Sequence, residues 1–293
     1  VNVVNFPKDI FIQTRNLIVL GKNSSLKLVQ CDDSIDHRDS FINTVSEIAL
    51  GENANLDHYK LQNKDDNSTL ISTLCFHLAD NSVLSSNAIS LNGGMIRNNL
   101  NVAIDGENCN VSVNGIFLVD KNQHIDNHVF IDHLKPNSNS SELFKGILDD
   151  SASGVFNGHV LVRRDSQHTN AYQKNRNILL TDKATMDTKP FLEIYADDVK
   201  CSHGATIGQM DESGIFYMRQ RGIPEDEARV LLLYAFAGEV VNLIHIPILR
   251  ERIFEMIRKR LRGELSTCDD CALQCKYQHN APCVVDLSNI QLV

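Results

Sequence analysis

No tryptophan occurs in the 293 residues, and tyrosine appears only six times. Grooves that hold sugar rings are lined with such aromatics beside acids and bases, so a β-helix enzyme acting on polysaccharide starts at a disadvantage. No basic stripe is present: 28 Lys and Arg stand against 37 Asp and Glu, a net charge of −9. A nucleic-acid binder needs a cationic footprint to displace counterions, so no nucleic-acid partner is expected. No apolar run suits a bilayer. The best candidate, VLLLYAFAGEVVNLIHIPIL (230–249), is interrupted by Glu239, Asn242, His245 and Pro247 and reads as a buried helix. No GxxxxGK[ST] loop occurs, so this chain has no cradle for ATP phosphates. Nor is a disulfide framework legible, because Cys31, Cys75, Cys109 and Cys201 are widely scattered. Asn23, Asn67, Asn110 and Asn139 each begin an Asn-X-Ser/Thr triplet, but no signal peptide accompanies them. The reading is a reducing, cytoplasmic protein. The chain begins with Val and enters strand-like sequence almost at once, which reads as a fragment lacking an N-terminal region.

What is present is a recurring turn. LGKNSSL (20–26), LGENANL (50–56) and LADNSVL (78–84) share an apolar residue, a Gly/Asp/Asn turn, a small residue and a second apolar residue. Looser copies are IDGENCNV (104–111), LDDSASGV (148–155) and LTDKATM (180–186), each between β-rich runs such as NLIVL and NVSVNGIFLV. Recurrence at this interval marks stacked coils that bury their apolar faces on one another. Short alternating strands without intervening helices exclude an ordinary βαβ fold. The predicted architecture over 1–210 is a parallel β-helix, with a β-sandwich as the competitor.

After Met210 the pattern becomes helical over 211–264. Asp211 can cap a short helix, DESGIFYMRQR, and Gly222 supplies its stop. Pro224 suits the start of a second helix running to about Ile244, with Glu225, Asp226 and Glu227 at its positive end. Pro247 opens a third, in which Leu249, Ile253, Ile257 and Leu261 share a face opposite a run of Arg and Lys. That basic face reads either as solvated surface or as a docking face for an acidic partner.

Three segments carry candidate chemistry. In QHIDNHVFIDH (123–133), strand geometry puts His124, Asp126 and His128 on one face, a set that suits zinc or iron but equally a polar ladder. In DDVKCSHGATIG (197–208), Cys201 and His203 stand side by side on a strand, as a metal site, a nucleophile–base pair or a packing detail. In the tail (265–293), Cys268, Cys271, Cys275 and Cys283 follow a C-x2-C-x3-C-x7-C spacing, with His279 between the last two. Four thiolates there could hold zinc or a cluster, which would make an autonomous metal-binding protein, or belong to an unstructured extension.

The stretches QHIDNHVFIDHLKPNSNSSELFKGILDDSASGVFNGHVLVR (123–163) and AYQKNRNILLTDKATMDTKPFLEIYADDVKCSHGATIGQMDESGIFYMRQRGI (171–223), followed by LLYAFAGEVV, resemble the SufB/SufD family of iron–sulfur cluster assembly proteins. The second is closer to the SufD branch than to the SufB branch. The resemblance implies a right-handed parallel β-helix followed by a small C-terminal helical domain, acting as a non-catalytic scaffold. It implies a SufB-like partner on the β-helix and a SufC-like ABC ATPase on the helical region, where Arg219, Arg221, Pro224 and Glu239 are the candidate docking residues. It also implies that His203, with Cys201 beside it, lies at the SufB interface and serves a transient cluster or iron shared with that partner. No cofactor is expected to stay on the isolated chain, and a chain without its partner could pair with itself. The usual N-terminal helical region is missing, and the cysteine-rich tail lies beyond the family's usual end.

Overall fold

The computed structural model describes residues 10–33 and 39–265. The four tail cysteines, Cys268, Cys271, Cys275 and Cys283, and His279 lie outside the described residues. Among the described residues, fourteen strands come first: β1 (Ile10–Leu20), β2 (Ser25–Asp33), β3 (Ser40–Leu50), β4 (Asn55–Asn63), β5 (Ser68–Leu78), β6 (Val83–Asn92), β7 (Met95–Ile104), β8 (Asn110–Val119), β9 (His124–His133), β10 (Asn139–Leu148), β11 (Ser153–Val162), β12 (Thr169–Leu179), β13 (Thr185–Ile194) and β14 (Val199–Gly208). Odd strands stack in order into one parallel sheet, and even strands into a second. One odd and one even strand make a coil, so the chain winds a parallel β-solenoid of about seven turns. The sandwich alternative is set aside by the parallel pairing throughout.

The coil corners explain the irregular repeat. At the odd-to-even corner, Asn23, Asn53, Asn81, Asn108, Asn137 and His168 all have φ between 57° and 64°. Asparagine tolerates this left-handed conformation because its short side chain bonds locally. Asn53 Nδ2 also donates to Asn23 Oδ1 of the coil below at 2.8 Å. LDDSASGV and LTDKATM belong to the opposite corner, between β10 and β11 and between β12 and β13. The six copies therefore mix two corners of the same coil, and LKPNSNS occupies the first-corner place that the turn pattern skipped.

Alternation fills the inside. Ile48, Leu50, Leu56, Leu70, Phe76, Leu78, Phe117, Phe144 and Phe156 are almost fully buried in one core between the sheets. Neighbouring coils interlock. A Cβ on Gly115 would come 2.5 Å from Phe144 Cδ1, so the glycine leaves the space that the ring of the next coil fills.

Three helices follow among the described residues: α1 (Glu212–Arg219), α2 (Glu225–Val241) and α3 (Pro247–Leu261). Asp211 caps α1, accepting from Gly214 N at 3.0 Å. α2 stops at Val241 rather than Ile244, because Asn242 takes the C-cap and a short turn leads to Pro247. The helices lie on the outer face of the even sheet. Tyr59, Leu61, Ile89, Leu91, Ile116, Leu118 and Ile147 form one apolar cluster with Leu233, Ala237, Val240, Ile253 and Ile257. The even sheet is thus apolar on both faces over its middle strands, as a sheet covered on both sides must be. None of these helices is long and apolar enough to cross a membrane.

Candidate functional site

β14 is the last strand of the even sheet and β13 the last of the odd sheet, so the final coil presents two free edges among the described residues. On β12, Ala171, Gln173, Asn175 and Asn177 are buried while Tyr172, Lys174 and Arg176 are exposed, which fixes the inward parity. Ala171 pairs in register with Cys201, and Gln173 with His203. Parallel register keeps paired side chains on one face, about 4.8 Å apart. Cys201 and His203 therefore both face inward at the mouth of the solenoid, as strand geometry requires of positions i and i+2. Cys201 packs partly against the solenoid core, whereas His203 stands exposed at the open end.

Burial pushes the Cys201 thiol up, against a weaker opposing pull from a backbone hydrogen bond with Ala171. A nucleophilic cysteine needs the reverse, a thiolate favoured by its neighbour, so the pair is poorly set for covalent catalysis. The same pair could hold iron only if Cys201 gave up its proton on binding, since the thiolate is the ligand form.

Beneath His203 the core turns polar, a feature missed by reading the sequence. Gln173 lies directly under His203, and Glu142 of β10 directly under Gln173. Both are almost completely buried. Gln173 Nε2 donates to Glu142 Oε2 at 2.9 Å. Burial pushes the Glu142 carboxyl up to about 8, with the Gln173 bond pulling the other way. Asn177 Nδ2 donates to Asn175 Oδ1 at 2.6 Å, and Thr188 Oγ1 donates to the same oxygen at 2.8 Å. A second polar zone sits at the other end of the coil stack. There the buried His58 ring contacts Ser86 Oγ and Gln30 Oε1, each at 2.9 Å, and burial lowers it to about 3.

The histidine-rich strand β9 is a polar ladder on the outer face. His124, Asp126 and His128 do share a face, but Asp126 binds Arg97 at 2.6 Å and His128 at 2.8 Å, and His124 binds Ser153 at 2.7 Å. His133 points inward to Ser140 Oγ at 2.8 Å, and its burial lowers it to about 4. Among the described residues, no three His, Cys, Asp or Glu side chains converge on a metal position.

The helical layer uses several of its candidate docking residues internally. Arg219 pairs with Glu225 at 3.1 Å, and Arg221 lies 3.4 Å over the Tyr217 ring. Pro224 occupies the N-cap of α2. Glu239 binds the buried Lys145 and, at 3.6 Å, Arg176, tying α2 to the even sheet. On α3, Arg260 reaches Leu91 O at 2.7 Å and Asp120 at 2.5 Å, so part of the basic face is a clamp on the solenoid. Phe216, Tyr217, Leu231 and Ile248 stand exposed around this layer. A groove of about 350 Å³ runs over the even sheet beside His245, but Asn110, Asn139, Asn170 and Tyr172 line it without a carboxylate. It lacks the acid pair that glycoside hydrolysis uses.

The sequence matches the SufBD core domain of the SUF system for FeS cluster assembly over residues 4–236. This chain belongs to the SufBD family. It is 37% identical over 211 residues to the iron–sulfur cluster assembly protein SufD of Escherichia coli, covering 72% of this chain and 50% of that protein. It is 36% identical over 262 residues to a SufBD family iron–sulfur cluster assembly protein of Synechocystis, covering 87% of this chain and 58% of that protein. A chloroplastic protein of Arabidopsis thaliana, ABCI7, is 36% identical over 203 residues, covering 68% of this chain and 42% of that protein. This SufBD chain thus spans about half the length of the curated relatives it matches.

Proposed function

We propose that this chain acts as a SufD-type scaffold subunit, in which the mouth of the solenoid forms one side of a site for iron–sulfur cluster assembly. The observation that carries the reading is the placement of Cys201 and His203 on the inward face of the last coil, at a strand edge with no further strand among the described residues. An unpaired edge of this length is a ready surface for another chain's strand. Phe191, Ile194, Tyr195 and Ile207 are exposed on the same coil, which adds apolar area to such an interface. A SufB-like subunit docked there would bring further ligands beside His203, and iron or a nascent cluster would be the cargo shared between them. Imidazole and thiolate suit iron, and two ligands from one chain leave positions for the partner's.

A SufC-like ATPase would dock on the helical layer near Phe216, Tyr217, Arg219, Arg221 and Pro224. Movement of α2 would reach the solenoid through Glu239 and Lys145. The cytoplasm is the compartment proposed. Co-purification with SufB-like and SufC-like partners tests the assembly, and failure to form that complex would refute it. In the assembled complex, His203→Ala should preserve complex formation and lower cluster yield. Unchanged yield would remove His203 from the mechanism.

A further inference from the structure

We propose that Glu142 and Gln173 form a neutral acid–amide pair beneath His203, in which Glu142 Oε1 carries a proton, donates it in a hydrogen bond to Gln173 Oε1, and so fixes the amide in register beneath the imidazole. The pair is a positioning element, and its role rests on the reading of His203 given above. One half of the pair is formed already, since Gln173 Nε2 donates to Glu142 Oε2 at 2.9 Å. Glu142 Oε1 and Gln173 Oε1 are both buried without a partner, as is Asn177 Oδ1 further along β12. Two bare acceptors on adjacent coils cannot satisfy each other. A single proton on Glu142 satisfies both, because a carboxylic acid offers one O–H donor that a carboxylate lacks.

The surroundings are built for this pair. A Cβ on Gly158 would overlap Gln173 Nε2 and come 2.8 Å from its Cδ, so β11 carries glycine where the amide lies. Around the pair, β8 presents Val113 in register with Glu142, and β11 presents Phe156 and Gly158. β13 presents Thr188 and Pro190 in register with Phe156 and Gly158. The titratable groups sharing this part of the interior are His133 on β9, bonded to Ser140, and Cys201 and His203 above. Burial raises the carboxyl to about 8, and no charged neighbour is among the causes. The proton therefore stays at neutral pH, and its loss above about 8 leaves a buried carboxylate facing an amide oxygen.

Infrared spectroscopy of the full chain tests the pair without any cluster. The wild type at neutral pH should show the C=O stretch of a protonated carboxyl, shifted in D₂O. The band should vanish in Glu142→Gln and persist in His203→Ala. Absence of the band in the wild type overturns the proposal. In the assembled complex, Glu142→Leu should lower cluster yield about tenfold or more, the scale of losing a group that orients a ligand. Glu142→Gln keeps an amide partner for Gln173 without a titrating proton. It should restore most of the yield and remove the wild type's decline above pH 8. Wild-type yield and pH profile in Glu142→Leu would overturn the coupling while leaving the His203 reading intact. Unchanged yield in His203→Ala, with the band present, would overturn the coupling together with that reading.

Discussion

The interlock between coils gives the sharpest test of how this solenoid is packed. Gly115→Ala puts a methyl 2.5 Å from Phe144 Cδ1, where ordinary carbon contact needs about 3.5–4.0 Å. The ring would have to move by about 1 Å, and it has nowhere to go: Phe144 is 2% exposed and its centroid lies 5.0 Å from that of Phe156. Overpacking of this kind costs roughly 1–3 kcal/mol. Phe144→Leu, by contrast, removes ring carbons and leaves a void, for a loss of roughly 1–2 kcal/mol. In the double variant the added methyl occupies part of that void. Its cost should therefore fall short of the summed single costs by about 1 kcal/mol or more, the signature of directly coupled residues. Urea denaturation followed by far-ultraviolet circular dichroism on all four proteins measures the cycle. Additivity within about 0.5 kcal/mol would mean that the two coils do not share this space, and the packing argument would fail.

Two buried groups should tilt stability with pH in opposite senses. His58, lowered from 6.5 to about 3, stays neutral in the fold, so stability present above pH 6.5 is lost as pH falls toward 3, at up to about 1.4 kcal/mol per pH unit. His58→Gln should flatten that acid limb of the denaturation midpoint, and an unchanged limb would show that another group causes it. Glu142, raised from 4.5 to about 8, contributes stability in full below pH 4.5 and loses it as pH rises to 8. Glu142→Gln should therefore gain on the wild type between pH 5 and pH 8, whereas parallel curves would contradict a buried protonated acid. Lys145→Ala removes a buried ammonium that binds Glu239 and, at 2.9 Å, Phe236 O. Because Glu239 is half-exposed, the loss should be modest, about 1–3 kcal/mol, and hydrogen exchange should rise in α2 before it rises in β3–β9. Asn53→Val forces a β-branched residue to φ 57° and breaks the bond to Asn23, so it should cost at least about 1 kcal/mol more than Asn53→Gly.

How much of this was legible in the sequence depended on whether the signal lay in one segment or between segments. Helix signals are local, and Asp211, Gly222 and Pro247 marked boundaries that the structure keeps. Strand existence is also local, through alternation and turns. Corner identity was not, because Gly, Asp and Asn serve both corners equally well and the six turn copies were read as one series. Inward parity was obscured for a different reason. Helices cover the even sheet's outer face, so apolar residues such as Leu61, Ile89 and Ile116 sit outside the solenoid core and alternation stops marking the inside. The polar interior is hardest of all, since Glu142 and Gln173 look like surface residues on strands of mixed character. Yet His203, Gln173 and Glu142 stand 30 and 31 residues apart, one coil each in this register. That spacing is the only trace such a row leaves in a linear sequence, because side chains stacked in register on one sheet of a parallel solenoid are one full turn apart. A residue at the mouth of the solenoid should accordingly be read with those one and two coils earlier. For His203, those residues are an amide and a buried acid.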